Sequence, residues 1–158
     1  MINRLKDFLD SHHVKYLTIS HSLAYTAQGI ASLAHISGRE LAKTVIVKLD
    51  GKLAMAVVPA SSHVDLGLLK AAAGAKTAEL ASEDEFRGIF PDCETGAMPP
   101  FGLLYGLEVY ADRILSHDKE IAFNAGSHRE LVRLAWEDFA NLGKPRMAEL
   151  VVGKTKAA

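Results

Sequence analysis

The chain has 158 residues, 49% of them apolar and 23% charged, with a net charge of −1 and one cysteine. That length and balance predict one domain over residues 1–158 with a sizeable core, and they exclude a disulfide scaffold or a cysteine metal cluster. A near-neutral chain also has no broad basic field for capturing nucleic acid, so any RNA would have to meet a local patch such as Lys43, Lys48 and Lys52, or Lys144 and Arg146.

In chain order, Ile2, Leu5, Phe8 and Leu9 recur at helical spacing and predict a short amphipathic helix. Val14 to Ile19 reads as a strand. Thr26 is placed to cap a second helix carrying Ala27, Ile30, Ala31 and Ala34, closed by Gly38. Thr44–Leu49 and Leu53–Val58 flank Asp50-Gly51, the pattern of a hairpin with a tight turn, and their nearly continuous apolar character predicts central strands. Asp65 to Ala73 reads as a helix stopped by Gly74, Lys76 to Leu80 as a short strand, and Ser82 to Gly88 as a helix capped by Ser82. Leu107 to Tyr110 and Ile121 to Asn124 are predicted strands.

Beyond Gly126 the signals conflict. Ser127 and Glu130 fit a capping box, which favours a helix. The alternative is a turn at Ala125 to His128, a return strand through Leu131 to Leu134, and a helix near Trp136 to Leu142. Strands and helices interleave with hairpins, which makes the chain α+β. No apolar run spans a membrane, and the first residues lack the layout of a secretory signal, so a reducing cytoplasm is the expected location.

Familiar catalytic patterns are missing: no G-x-S-x-G, Walker loop, H-E-x-x-H or G-x-G-x-x-G occurs. The adjacent His12-His13 cannot share a helix face, and Cys93 has no neighbours that would lower its thiol pKa. What remains is Lys43 at the head of a central strand, the stiff loop Gly96-Ala97-Met98-Pro99-Pro100-Phe101-Gly102, and Asn124-Ala125-Gly126-Ser127-His128. In the loop, two glycines permit unusual φ values while two prolines lock φ and restrict the residue before each. Taken singly, each segment has an ordinary structural role.

Together and in this order, these segments resemble the family of YbaK-type proteins and prolyl-tRNA synthetase editing domains. Arg39-Glu40-Leu41-Ala42-Lys43-Thr44-Val45 is similar to its lysine motif, Gly96 to Pro100 to its Gly-x-x-x-Pro loop, and Ala125 to His128 to its later glycine-containing turn. His21 to Gln28, with Tyr25 and Thr26, resembles an early segment that walls the pocket. The similarity runs from about Leu5 to about Leu150 and favours the hairpin at Gly126. The resemblance implies a curved, mixed, barrel-like sheet surrounded by helices.

It also implies hydrolysis of the ester of mischarged aminoacyl-tRNA, with Ala-, Cys- or Ser-tRNA as the expected substrates. By that resemblance the catalytic set would be Lys43, Gly96, Ala97, Met98, Pro100, Gly126 and His128. Tyr25, Thr26, Ile30, Thr44, Phe101, Gly102, Asn124 and Ser127 would contact substrate. Lys43 would anchor the terminal adenosine, and the loop backbone would hold the carbonyl and the attacking water. Because proline has no N–H, the donors would have to come from Gly96, Ala97, Met98, Phe101 or Gly102. No cofactor or metal is implied. The expected partners are the tRNA acceptor end and a synthetase, with no membrane, and the default is a monomer. Two other readings use the same pocket: a non-catalytic module that binds a nucleotide, an aminoacyl group or a synthetase, and a small-molecule esterase.

Overall fold

The structure, a computed structural model, describes residues 1–20 and 40–152. Helix α1 (Asn3–Ser11) buries Leu5 and Leu9, as the spacing predicts, and leads into strand β1 (Tyr16–Ser20). Strands β2 (Ala42–Leu49) and β3 (Lys52–Pro59) form the expected hairpin, closed by Asp50 and Gly51, both at positive φ. Two left-handed residues in succession give the primed turn whose twist matches the flanking strands. The Asp50 carboxylate accepts from the N–H groups of Lys76 and Thr77, tying the turn to the chain before β4 (Ala78–Leu80).

Helix α2 (Leu66–Ala73) starts where the Asp65 carboxylate accepts from the Leu68 N–H, and it stops at Gly74. The predicted helix after Ser82 is shorter than expected: α3 (Glu83–Phe86) has the full capping box but gives way to a 3₁₀ turn at Arg87–Ile89. Further on come β5 (Glu108–Asp112), β6 (Glu120–Asn124), β7 (Glu130–Ala135), α4 (Trp136–Gly143) and β8 (Arg146–Ala148). The hairpin therefore prevails at Gly126, where Ser127 Oγ accepts from the Arg129 N–H and no helix starts. Strand β8 and the 3₁₀ turns at Gly102–Tyr105 and Arg113–His117 carry no periodic signal and were not expected.

The strands form two sheets. One is antiparallel in the order β1-β7-β6; the other, in the order β4-β2-β3-β5-β8, is antiparallel through β3 and parallel beyond it. They meet at one parallel bridge, Leu41 with Ala122, where the Ala122 N–H donates to Glu40 O at 3.2 Å. This corrects the barrel-like sheet expected above. Closure needs continuous pairing around the ring, whereas here β2 and β6 pair at a single point and then part.

The main core lies against one face of both sheets, with Ile46, Val57, Phe123 and Val132 meeting Leu5, Leu9 and Phe139 of the helices. Phe101 sits at its centre, in edge contact with Phe8, Phe123 and Phe139 at ring-centroid distances of 5.5, 5.8 and 5.2 Å. A second cluster covers the other face of the five-stranded sheet, where Val47, Ala56 and Val58 pack against Leu69, Leu150 and Val151. Among the described residues no helix is long and apolar enough to cross a membrane.

Asp112, fully buried at the end of β5, holds the chain after β8 in place. Its carboxylate accepts from the N–H groups of Ile114, Leu150 and Val151 at 2.9, 2.8 and 3.1 Å. Asp112→Ala strands these donors in the interior, so urea unfolding should show a loss of about 2–4 kcal/mol. A loss under about 1 kcal/mol would show that water replaces the carboxylate.

Candidate active site

Strand β6 ends at Asn124, and the turn that follows is stapled to the glycine-proline loop. The Gly126 N–H donates to Ala97 O at 2.9 Å, and Gly126 O accepts from the Glu94 N–H at 2.8 Å. The Ala97 N–H in turn donates to Glu94 O at 3.0 Å, which folds the chain tightly around Gly96 at φ 87°. Gly126 itself has φ 102°, and a Cβ there would overlap Ile2 Cγ2, so both backbone shape and close approach require glycine. Gly102 is required for a different reason from the one its sequence context suggests. Its φ is not positive, but a Cβ there would overlap Leu107 O and lie 2.6 Å from Val109 Cγ2.

From Ala97 to Gly102 the loop is buried, while Gly96 is exposed. Phe101 lies wholly in the core, so its ring anchors the loop and any contact it makes with a ligand is through its backbone. Since the Ala97 N–H is already used, the set of available donors narrows. Among the described residues no acceptor is paired with the N–H of Gly96, Met98 or Phe101. Pro99 and Pro100 contribute none, and their fixed φ keeps the intervening backbone from relaxing to satisfy these groups.

His128 belongs to the same cluster. Its backbone N–H donates to Glu94 Oε1 at 2.6 Å, and its Nδ1 lies 3.1 Å from the same oxygen. These bonds, the backbone one foremost, hold the Glu94 carboxyl below its usual pKa. Glu94 was missed in the sequence because its partner lies 34 residues away and nothing local marks the contact. Cys93 next to it is half-buried, 3.4 Å from the Tyr105 hydroxyl, and burial pushes its thiol pKa up, the opposite of what a nucleophile requires.

Lys43 projects at the seam between the sheets. Lys43 follows Leu41 by two residues and Asn124 follows Ala122 by two, so the two-residue period puts each on the same face of its strand as its half of the bridge. Lys43 is half-buried and burial lowers its pKa. The nearby carboxylate in sequence, Glu40, is bound by Arg133 Nε at 2.7 Å, and Arg133 also reaches Glu120 at 3.1 Å. Among the described residues Lys43 has no ion-pair partner. Among the described residues the buried Asn124 Oδ1 has no hydrogen-bond partner. Thr44, adjacent to Lys43, points to the opposite face with Ile46, and among the described residues its buried Oγ1 also lacks a partner. Tyr25, Thr26 and Ile30 lie outside the described residues.

Lys48 and Arg146, two of the cations considered for RNA, already have partners. Lys48 faces away from Lys43 and is paired with Glu79 and Glu85, while Arg146 lies over the Tyr110 ring and donates to its hydroxyl at 3.0 Å. The structure thus joins Gly96, Ala97, Gly126 and His128 through Glu94, and it places Lys43 and Asn124 each two residues past the bridge between the sheets. Such a site can orient a carbonyl and a water with backbone groups and a cation.

The aminoacyl-tRNA editing domain profile matches residues 21–142. Over 152 residues the chain is 28% identical to the Multifunctional Ser/Thr-tRNA deacylase ProXp-y of Escherichia coli (strain K12), covering 91% of this chain and 89% of that one. It is 30% identical over 87 residues to the proline–tRNA ligase of Bacillus cytotoxicus, which covers 55% of this chain and 15% of the ligase. The fold is similar to that of a crystallised protein proposed as a trans-editing enzyme for prolyl-tRNA synthetase, with TM-score 0.81, 22% identity, and coverage of 95% and 96%. The chain belongs to the aminoacyl-tRNA editing domain family, a family of ester hydrolases that deacylate aminoacyl-tRNA.

Proposed function

We propose that this chain is a trans-editing hydrolase that cleaves the ester of a mischarged aminoacyl-tRNA, releasing the amino acid and intact tRNA. The observation that carries this reading is that the N–H groups of Gly96, Met98 and Phe101 have no acceptor among the described residues, on a loop stiffened by Pro99 and Pro100. An aminoacyl ester to a ribose hydroxyl is already activated, so the site needs no protein nucleophile. Water adds to the carbonyl carbon, negative charge collects on the carbonyl oxygen, and the ribose oxygen leaves with a proton when the tetrahedral intermediate collapses. Each well-aimed donor to that oxygen is worth about 3 kcal/mol.

Lys43 is the positioning charge. An ammonium that is half-buried and has no acidic partner among the described residues is suited to a phosphate or ribose of the terminal adenosine, and Asn124 Oδ1 at the same seam offers an acceptor. The partner is then the acceptor end of a tRNA, met locally, with a synthetase as a further candidate. Ala-, Cys- and Ser-tRNA remain in the substrate set. Similarity to the E. coli deacylase moves serine to the front and adds threonine.

The test is deacylation of a panel of Ala-, Cys-, Ser- and Thr-tRNAs of different tRNA identity. The expected result is hydrolysis of Ser- or Thr-tRNA at least about tenfold above the uncatalysed rate, a modest demand on such a site. Binding without hydrolysis across the panel would favour the non-catalytic module. Equal turnover of simple amino-acid esters would favour the small-molecule esterase.

A further inference from the structure

Glu94 is more than half exposed, so its ion pair with His128 contributes little to folding stability, yet its geometry is specific. One carboxylate oxygen receives both N–H groups of His128, from the backbone at 2.6 Å and from Nδ1 at 3.1 Å. The main chain of the same glutamate bonds to Gly126 and Ala97 on the two facing loops. The far nitrogen of the ring, Nε2, faces Gly96 and would lie 3.5 Å from a Cβ built there.

We infer that Glu94 is a positioning residue: its carboxylate holds His128 as the Nδ1–H tautomer with the Nε2 lone pair turned toward the Gly96 backbone, where the ester and water are held. In a neutral imidazole only one nitrogen carries hydrogen, so a carboxylate at Nδ1 makes Nε2 the acceptor. An acceptor there can take a hydrogen bond from the attacking water or from the substrate's α-ammonium group. The backbone bond prevents ring and turn from moving independently. Glu94 therefore acts through His128 and touches no reacting atom itself.

The kinetic test rests on the deacylase reading. Glu94→Ala should lower kcat about 10–100-fold, with KM within about threefold and the thermal midpoint nearly unchanged, as expected for a misplaced group. Glu94→Gln keeps an acceptor for both N–H groups and should recover most of the rate. In a His128→Ala background, Glu94→Ala should cost less than about threefold more, because the residue through which it acts is gone. Equal losses in both backgrounds, or a glutamine variant no better than alanine, would overturn the inference.

A second readout needs no catalysis. The ring ¹⁵N shifts of His128 in the wild-type protein should report the Nδ1–H form, and Glu94→Ala should shift it toward Nε2–H. A wild-type ring in the Nε2–H form overturns the inference whatever the substrate proves to be. A wild-type protein inactive across the tRNA panel, but with the expected ring shifts, overturns the deacylase reading alone.

Discussion

Lys43→Met is expected to lower deacylation about a hundredfold or more while leaving the fold intact and the thermal midpoint at pH 7 equal to or above that of the wild type. The two effects share one cause. Lys43 is half-buried at the seam between the sheets, Glu40 is taken by Arg133, and no described residue offers Lys43 a counter-charge. In the free protein the ammonium is penalised by burial, which is why its pKa falls below the ordinary lysine value of 10.5. The unfolded chain binds that proton more tightly, so stability rises with pH between the lowered and the ordinary value. Below that window the penalty is fully present, and above it the penalty is gone. Methionine has a similar length and no charge, so its advantage at pH 7 should shrink as the pH rises through that window and be gone above 10.5. Thermal melts at both pH values, with single-turnover deacylation at pH 7, test the pair of effects. Wild-type turnover by Lys43→Met would remove Lys43 from the site, and a large loss of stability at pH 7 would mean that it has a partner outside the described residues.

Gly126→Ala should damage both stability and turnover. At φ 102° an L-residue is strained by about 1–3 kcal/mol, and the new methyl would overlap Ile2 Cγ2. Overpacking of that kind adds about 1–3 kcal/mol, so urea unfolding should report a total loss of about 2–6 kcal/mol. The Gly126 backbone also carries the bonds to Ala97 and Glu94, so a shift of the turn moves the loop whose N–H groups at Gly96, Met98 and Phe101 have no acceptor among the described residues. Turnover should fall about tenfold or more in molecules that remain folded, since small misplacements of this kind are costly. Ile2→Ala opens space for the methyl but leaves φ unchanged. Combining the two substitutions should therefore restore part of the stability and little of the rate. Full recovery of both would show that the contact with Ile2, and not the backbone shape, is what requires glycine.

Local elements were legible wherever a short-range rule governs them. Two nearly continuous apolar runs flanking Asp50-Gly51 located the β2–β3 hairpin, and Asp65 and Gly74 bracketed α2. The capping box at Ser127 and Glu130 was a false signal, because those residues instead close a hairpin whose return strand is held by β6 and β1. Strand β8 is three residues long and pairs only with β5, so nothing in its own residues marks it. The opposite faces of Lys43 and Thr44 follow from the two-residue period of a strand and were available from the sequence once both lay in β2.

By itself the sequence determined the longer elements, the stiffness of the Gly96–Gly102 loop and the order of the segments that mark the family, because each depends on residue type and near neighbours. Only the tertiary structure decided that two sheets meet at Leu41 and Ala122 without closing. It also decided that Arg133 takes Glu40, that Lys43 has no counter-charge among the described residues, and that Glu94 joins the glycine-proline loop to the turn at Gly126. Those outcomes depend on pairings between distant residues, and a carboxylate's partner is set by where the folded chain brings a donor, which no local pattern encodes.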